Sequence, residues 1–591
     1  LADLIRLDVV DGVRIDHVDG LYDPFGYLAA LRALGPRQVW VEKILAPGEL
    51  LPEGWPVEGS TGYDFMHEVT ALLTYPGSRR ALDRLWRRAA PDAPGWREEA
   101  YRSKQVVMQT VLSGDLTGLA HELDRIAERD YHTRDVTFEA LREALADVIA
   151  GLQRYRTYLA HDGEGGAALL RETLEAARRR RAAGDPTPYD IIERVLLGAV
   201  REDLRADAAH WAHRFEQYCA PVAAKGVEDT ACYRYLRLAA VNEVGGDPAT
   251  IGMGLQAFHE RGRARGARHP RTLLATSTHD AKRGEDTRMR MIALAELADD
   301  WRRLLAQLRP VLRRHRRRRG PSRADEYLFL QTLAALWEDG DRSGLADRLA
   351  AYMLKAAREA KLHTSWLHAD PSYEEMLERF VRGVIADART ASILHPFAAL
   401  LARYGFLNSI TQTVLRLTAP GIPDVYQGSE LLTLTLVDPD NRVAVDFERR
   451  EQLLESLEPL LAEPTVEGVR AMAEARDERL KLYVTAALLR LRAAHPHLAA
   501  GTYLPLAAEG TAADHAVAYA RVDGPSALLV IATRFPAVLE RMEGWGDTSV
   551  PLPEAWADHT WRETLTGAEV APGDAIRPAA LALPWAVLLS P

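Results

Sequence analysis

The stretch Asp11-Gly12-Val13-Arg14-Ile15-Asp16-His17-Val18-Asp19-Gly20 decides the fold of this chain. It reads as a strand that ends in a polar site. Leu4, Ile5, Leu7, Val9 and Val10 supply a β-prone apolar run, and Val13 and Ile15 continue it. Arg14 and Asp16 alternate with those two, so they project to the opposite face. A cation and an anion on one face of an apolar strand cost free energy if simply buried. Two readings stand side by side here: a structural ion pair inside a sheet, or a carboxylate held ionised by the neighbouring guanidinium.

Working outward, residues 24–34 predict a short helix with Phe25, Leu28, Leu31 and Leu34 on one face and Gly35-Pro36 as its stop. Residues 38–45 predict a second strand, which carries Glu42 near its end as the first carries Asp16. Strand, helix and strand in succession form a βαβ unit and imply a parallel sheet. In such sheets functional groups gather at the carboxyl ends of strands. A third strand, over residues 272–278, delivers His279-Asp280 to its end, and the charged run 281–288 follows. Residues 420–428 read as a short buried strand between turns, followed by the polar loop Asp438-Pro439-Asp440-Asn441-Arg442.

The rest of the chain differs in texture. After a Pro- and Gly-rich loop at 48–62, long helices are predicted from His67 to about Pro270, over 138–158, 167–183 and 189–218, with a turn at 162–166. Within them, residues 220–248 are polar and Gly-rich, and read either as a solvated connector or as a substrate-facing loop. Helices dominate again from about 290 to 418, and a last one spans 479–495. From Gly501 onward short apolar runs alternate with Gly, Pro and Asp turns, which predicts a C-terminal antiparallel β-sandwich.

The totals bound the function. A chain of 591 residues is too long for one core and suggests about three or four structural units. Hydrophobic residues make up 47% and charged residues 27%, as in globular proteins. The net charge of −10 disfavours a nucleic-acid partner. The arginine-rich run 313–319 is then better read as a solvated helix end. Only Cys219 and Cys232 are present, which argues against a disulfide framework or thiolate metal site and for a reducing cytoplasm. No apolar run reaches transmembrane length, so no membrane partner is expected.

Asp16, Glu42 and Asp280 at three strand ends, with Arg14 and His279 beside two of them, suggest a site where one carboxylate attacks and another carboxyl group protonates a leaving group. Retaining glycosidases hold such a pair about 5–5.5 Å apart. Competing chemistries lack their motifs. His67-Glu68, His121-Glu122 and His259-Glu260 have no second His four residues on from the first, and there is no Gly-Lys-Ser/Thr phosphate loop. Gly252-Met253-Gly254 has no preceding strand, and no Gly-x-Ser-x-Gly elbow occurs.

Gly12-Val13-Arg14-Ile15-Asp16-His17, Val41-Glu42-Lys43, Ser277-Thr278-His279-Asp280 and Pro420-Gly421-Ile422-Pro423-Asp424-Val425-Tyr426-Gln427-Gly428 resemble, in order, the successive motifs of the α-amylase superfamily. Residues 224–230 (Ala-Lys-Gly-Val-Glu-Asp-Thr), 242–248 (Asn-Glu-Val-Gly-Gly-Asp-Pro) and 278–286 resemble its maltooligosyltrehalose synthase family in particular. The resemblance implies a (β/α)8 TIM barrel with large α-helical insertions and a C-terminal antiparallel β-sandwich. Residues 1–66 would hold barrel strands 4 to about 6, 67–270 a helical insertion, 271–495 strands 7 and 8 with a further insertion, and 496–591 the sandwich.

It also implies roles. Asp16 would be the nucleophile, Glu42 the general acid and then base, and Asp280 the stabiliser of the oxocarbenium-like transition state. Arg14, His17, Asp19, Tyr63, Lys225, Glu228, Asp229, Tyr233, Arg234, His279, Lys282, Arg283, Asp286, Arg288, Tyr426, Asn441 and Arg442 would contact substrate or build the walls. The implied reaction is an intramolecular transglycosylation of a maltooligosaccharide that makes an α,α-1,1 linkage, and it needs no metal or organic cofactor. The superfamily's Asp-Asn-His motif of the third strand is missing. In the family layout Asp16 ends the fourth strand, so an N-terminal segment, as a separate chain or as sequence outside these 591 residues, is expected to complete the barrel. The alternatives are an α-glucan hydrolase or glucanotransferase with the same carboxylates, and a non-catalytic glucan-binding protein.

Overall fold

The computed structural model describes residues 1–160, 164–181, 184–318, 320–338, 340 and 342–590. Residues 162 and 163 of the expected turn, the last two residues of the helix expected over 167–183, and Arg319 of the arginine run lie outside them. The chain divides into two compact units. One comprises Leu1–Thr61, Asp92–Tyr235 and Glu359–Leu362, the other Gly62–Pro91, Leu236–Arg358 and His363–Pro591.

In the first unit, β1 (Gly12–Ile15), β2 (Gln38–Val41) and β3 (Gly59–Ser60) form a parallel sheet in the order β1-β2-β3. Arg14 lies beside Trp40 and Ile15 beside Val41. The expected crossover helix spans Pro24–Ala33. Asp23 caps it by accepting the Gly26 N–H at 3.0 Å, and Pro24 takes the first position, where a missing N–H costs nothing. Its Leu28 and Leu31 pack with Val13, Val39 and Val41 in one apolar cluster. Gly59–Ser60, inside the stretch expected to be all loop, adds the third strand.

The opening apolar run is not part of the first strand. Ala2–Arg6 is a short helix whose Asp3 and Arg6 pair at 2.8 Å, and of its apolar residues only Ile5 is buried. Leu7 and Val9 are 71% and 67% exposed, so hydrophobicity without a partner sheet did not make a strand. The rest of this unit is helical. Trp96–Gln109, Ser113–Glu128, Phe138–Gly151, Glu164–Arg180, Thr187–Leu196 and Arg205–Ala223 enclose a core around Leu145, Ile149, Trp211 and Phe215. The single helix expected over 189–218 is two, because the chain breaks at Gly198, whose φ is +67°. A π-helical turn at Ala224–Glu228 extends the second of them.

In the second unit, β4 (Leu273–Leu274) and β5 (Ile422–Pro423) pair in parallel. The strand expected over 272–278 is thus two residues long. Its hydroxyls serve local bonds instead: Thr276 donates to Glu285 at 2.6 Å, and Thr278 Oγ1 accepts the Asp280 and Ala281 N–H groups at 3.2 and 3.1 Å. Helices fill most of residues 285–494, ending in Arg479–Ala494. The fully buried Lys481 of that helix meets Glu285 at 2.7 Å and Asp286 at 2.8 Å, and Arg416 meets Glu285 at 2.9 Å.

The C-terminal part is antiparallel. It comprises β6 (Thr502–Leu506), β7 (Ala516–Asp523), β8 (Ser526–Thr533), β9 (Val550–Pro551), β10 (Trp561–Glu563), β11 (Glu569–Val570), β12 (Ala575–Ile576) and β13 (Trp585–Leu589). Six of these form a sheet in the order β11-β10-β13-β8-β7-β6, and β12 pairs with β9. Val550 and Ile576 of the small ladder share one core with Leu529, Ile531, Trp561 and Leu588 of the large sheet. Among the described residues no single helix is long and apolar enough to cross a membrane.

Candidate active site

The parallel ladder of the first unit continues one step past β1 and β2. The Glu42 N–H donates to Ile15 O at 2.8 Å, and the Val18 N–H donates to Glu42 O at 3.3 Å. Asp16 and Glu42 therefore emerge side by side from neighbouring strand ends. His17 then reverses the chain with φ of +45°, in the left-handed region, and its N–H donates to Glu42 Oε2 at 3.0 Å. A residue other than glycine at this φ is uncommon and marks a turn that its surroundings enforce.

Arg14 bridges the two carboxyl groups. Its Nη1 meets Asp16 Oδ1 at 2.5 Å and its Nη2 meets Glu42 Oε1 at 3.2 Å. The two acids differ in setting: the Asp16 side chain is 70% exposed, that of Glu42 only 12%. A hydrogen bond with Glu42, aided by Arg14, holds Asp16 below the usual carboxylate range against a modest effect of burial. Burial first, and the hydrogen bond with Asp16 second, push Glu42 up to about 7. Near neutral pH one group is thus an anion and the other retains a proton, the division of labour that a nucleophile and a general acid require.

The remaining candidates of this unit fall into two groups. Asp19 is buried, and its carboxylate is occupied by Lys43 and by the Tyr158 hydroxyl. Burial alone would lower the Lys43 ammonium, but the charges of Asp19 and Glu49 outweigh it and hold it protonated. The π-helical turn presents an exposed Lys225, which pairs with Asp229 at 2.7 Å, and Glu228, which accepts from Tyr155 at 2.5 Å. Gly226 sits in that turn against Lys104, where a Cβ would come within 2.6 Å of its side chain. Thr230 and Tyr233 are buried, and Arg234 is held by Glu99 at 3.2 Å and Ala360 O at 2.6 Å. Residues 220–235 are therefore largely packed and are not a solvated connector.

In the second unit His279 Nε2 lies 3.3 Å from Asp280 Oδ2, with Asp280 exposed. Asn441 braces this loop by donating to the carbonyls of Thr278, His279 and Ala281 at 3.3, 3.0 and 3.4 Å. Tyr426 donates to Asn441 O at 3.1 Å, and Arg442 pairs with Asp438 at 2.7 Å. Tyr63, buried, bonds Thr278 Oγ1 at 3.1 Å. Lys282, Arg283, Asp286 and Arg288 are all buried. The Lys282 N–H donates to Glu243 at 2.7 Å, Arg283 donates to Tyr352 at 2.8 Å, and Arg288 donates to Thr70, Arg283 O and Thr276 O. Among the described residues no group of three or more His, Cys, Asp or Glu side chains is placed to hold a metal ion.

Sequence reasoning missed Arg156, Tyr158, Glu49 and Glu216, which surround Asp19 and Lys43. The only local signal was the Arg154-Tyr155-Arg156-Thr157-Tyr158 cluster just past the helix Phe138–Gly151.

Comparison with known proteins agrees with the motifs. A Mycobacterium tuberculosis protein carrying a maltooligosyl trehalose synthase name is 35% identical over 565 residues, 95% of this chain and 66% of the relative. The solved maltooligosyltrehalose synthase of Arthrobacter ramosus is 34% identical, with a TM-score of 0.86 over 100% of this chain and 71% of its own. The structure titled as a hypothetical maltooligosyl trehalose synthase of Sulfolobus tokodaii is 26% identical, with a TM-score of 0.76 over 98% and 69%. No protein-family model matches the chain. The chain thus spans just under two thirds of the length of the curated relatives it matches.

Proposed function

The chain belongs to the maltooligosyltrehalose synthase family, and from that premise we propose that it rearranges the reducing end of maltooligosaccharides by intramolecular transglycosylation. The last α-1,4 linkage becomes an α,α-1,1 linkage, so the product has no reducing end. Asp16 attacks the anomeric carbon of the penultimate glucose while Glu42 protonates the departing glycosidic oxygen. The bond to the terminal glucose breaks and a covalent glycosyl–Asp16 forms. The freed glucose turns over. Glu42, now an anion, takes the proton from its anomeric hydroxyl, and that oxygen displaces Asp16.

The bridged pair carries this assignment: two carboxyl groups from adjacent parallel strand ends, joined by Arg14, one held ionised and the other held protonated to about 7. Asp280, with His279 at 3.3 Å, is assigned to the sugar hydroxyls as charge develops at the anomeric carbon. Lys225, Glu228, Asp229 and Tyr426, which are exposed or half-buried, are assigned to sugar contact, and the buried Lys282, Arg283, Asp286 and Arg288 to the walls. Water is the rival nucleophile, so the reaction needs the freed glucose to be held away from bulk solvent. No metal or organic cofactor enters these steps.

The fold proposed with this function is a (β/α)8 barrel with a C-terminal β-sandwich; the described residues hold five short parallel strands, β1 to β5, in two sheets. Eight strands close such a barrel, so further polypeptide is assigned to the remainder. A cysteine content of two, Cys219 and Cys232, fits a reducing cytoplasm.

Incubation with maltopentaose tests the function. A non-reducing pentasaccharide without shorter sugars is expected, whereas glucose or mixed maltodextrins would instead indicate a hydrolase or disproportionating transferase. Asp16→Asn should remove turnover, by on the order of 10⁴-fold, with folding intact; binding without turnover in the wild type would leave a glucan-binding protein.

A further inference from the structure

The loops that carry Asp16 and Glu42 are joined a second time, below the surface. Lys43 directly follows Glu42, and its fully buried ammonium meets Asp19 Oδ2 at 3.2 Å and Glu49 Oε1 at 2.8 Å. Asp19 follows Asp16 by three residues, so this ion pair spans from one carboxyl-bearing loop to the other. Tyr158, from the helical part of the same unit, donates its hydroxyl to Asp19 Oδ1. The Lys43 ammonium lies 5.0 Å from the Tyr158 ring centroid, and the Arg156 guanidinium 5.3 Å from it.

Arg156 holds the backbone of the same loop. It donates to the carbonyls of Asp19, Leu21 and Tyr22 at 3.0, 2.5 and 3.2 Å, and Glu216 balances its charge at 3.1 Å. The segment is held under strain at two points. His17 has φ of +45° and Tyr158 of +55°. An aromatic residue in this region is strained and persists only where its surroundings over-determine it. At Tyr158 the bond to Asp19, the two cations and the edge of Trp55, 5.5 Å away, do so.

Burying this much charge is a poor way to gain stability. Apolar residues of similar volume often serve as well or better, whereas losing one partner of a buried pair is costly. What the charges supply is direction: two loops from different strands pinned at one separation. We infer that the Lys43–Asp19 pair, locked by Tyr158, is a positioning device that sets the distance between the Asp16 and Glu42 carboxyl groups. It takes Asp16 and Glu42 in the roles proposed above. The separation matters for the outcome, because carboxyl groups about 5–5.5 Å apart favour covalent attack, while about 6.5–9.5 Å leaves room for a water. Lys43, which touches no sugar in this scheme, would thereby govern how often water wins over the freed glucose.

The test uses the protein in the form its host makes, with maltopentaose as substrate. Lys43→Met, Asp19→Asn, the double variant and Tyr158→Phe are compared for kcat per folded molecule, KM, and the ratio of free glucose to non-reducing pentasaccharide. Lys43→Met is expected to lose about 10²-fold in kcat, the cost of a misplacement of about 1 Å, with KM little changed and the glucose ratio raised. Adding Glu49→Gln to the double variant should recover part of the loss, because only then is no charge left buried alone: Lys43 neutralises Glu49 as well as Asp19. If Lys43→Met does not fold, Tyr158→Phe, which removes one hydroxyl, decides on the same ratio. Unchanged kcat per folded molecule and an unchanged ratio in the folded variants would overturn the positioning role. A wild type that releases glucose or mixed maltodextrins would overturn the synthase reading instead, and kcat per folded molecule would still decide the role of Lys43. An inactive wild type overturns both.

Discussion

Glu42→Gln should destroy activity and make the protein more stable at pH 8. In the native state burial and Asp16 raise the Glu42 carboxyl from its ordinary 4.5 to about 7, whereas in the unfolded chain it ionises near 4.5. Between those two values the native state binds a proton that the unfolded state has released, so stability falls as pH rises through this window. At about 1.4 kcal/mol per pH unit, the interval from 4.5 to about 7 amounts to about 3 kcal/mol, all of it lost above pH 7. Glutamine does not titrate. Its carbonyl oxygen still accepts the His17 N–H, which meets Glu42 at 3.0 Å, and its amide donates to Asp16. Urea unfolding of both proteins from about pH 4 to about pH 8 should show little difference at the acid end and a gain of up to about 3 kcal/mol for the variant at the alkaline end. A difference that does not change with pH would refute the argument, because it would mean that Glu42 is not held protonated by the fold. The wild type would thus carry an acid at its candidate active site at the expense of stability.

The same pair predicts the pH profile of kcat/KM. It should be level up to about pH 7 and fall about tenfold per unit above it as Glu42 loses its proton. The acid limb should lie below the usual carboxylate range, since the hydrogen bond with Glu42, with help from Arg14, holds Asp16 down. Rising activity between pH 7 and 8 would contradict both assignments. Lys481→Met should destabilise the protein by about 3–5 kcal/mol in urea unfolding, because it strips the buried Glu285 and Asp286 of the ammonium they share at 2.7 and 2.8 Å. Gly62→Ala should cost more than about 1 kcal/mol in the same assay. Gly62 has φ of +86°, and a Cβ there would come within 2.5 Å of Ala275 N and Leu273 O, both backbone atoms that cannot swing aside.

What could be read from the sequence was local in character. Arg14 and Asp16 share a strand face because side chains alternate, and Glu42 follows a second apolar run of the same kind, so both strand ends were legible before any contact was known. The reach of Arg14 across to Glu42 was not, since it depends on the parallel register that places Arg14 beside Trp40. The run from Leu4 to Val10 misled for the opposite reason: an apolar composition states what a segment prefers to bury, not whether a partner is present. Residues 272–278 misled because threonine favours strands yet carries a hydroxyl, and here Thr276 and Thr278 spend theirs on Glu285 and on the turn at Asp280.

Charge was the hardest signal to read, and the structure explains why. Lys282, Arg283, Asp286 and Arg288 are as polar as any exposed loop, and nothing within residues 281–288 says that the run turns inward. Their partners come from elsewhere in the chain: Arg288 reaches Thr70, 218 residues away, and Asp286 reaches Lys481, 195 residues away. Lys43 is the same case nearer the chemistry. It stands next to Glu42, yet its partners are Asp19, Glu49 and the ring of Tyr158, and the Tyr158–Asp19 bond spans 139 residues. A group that touches substrate must sit at a strand end or on a loop and so leaves a short-range pattern. A group that positions it is neutralised by whatever the fold brings over it, and becomes legible only with the partners in place. Asp16 and Glu42, proposed above as the reactive pair, are of the first kind and Lys43, Asp19 and Tyr158, proposed as the device that spaces them, of the second, which is why the two strand ends could be read from the short stretches 11–20 and 38–45 and the device could not.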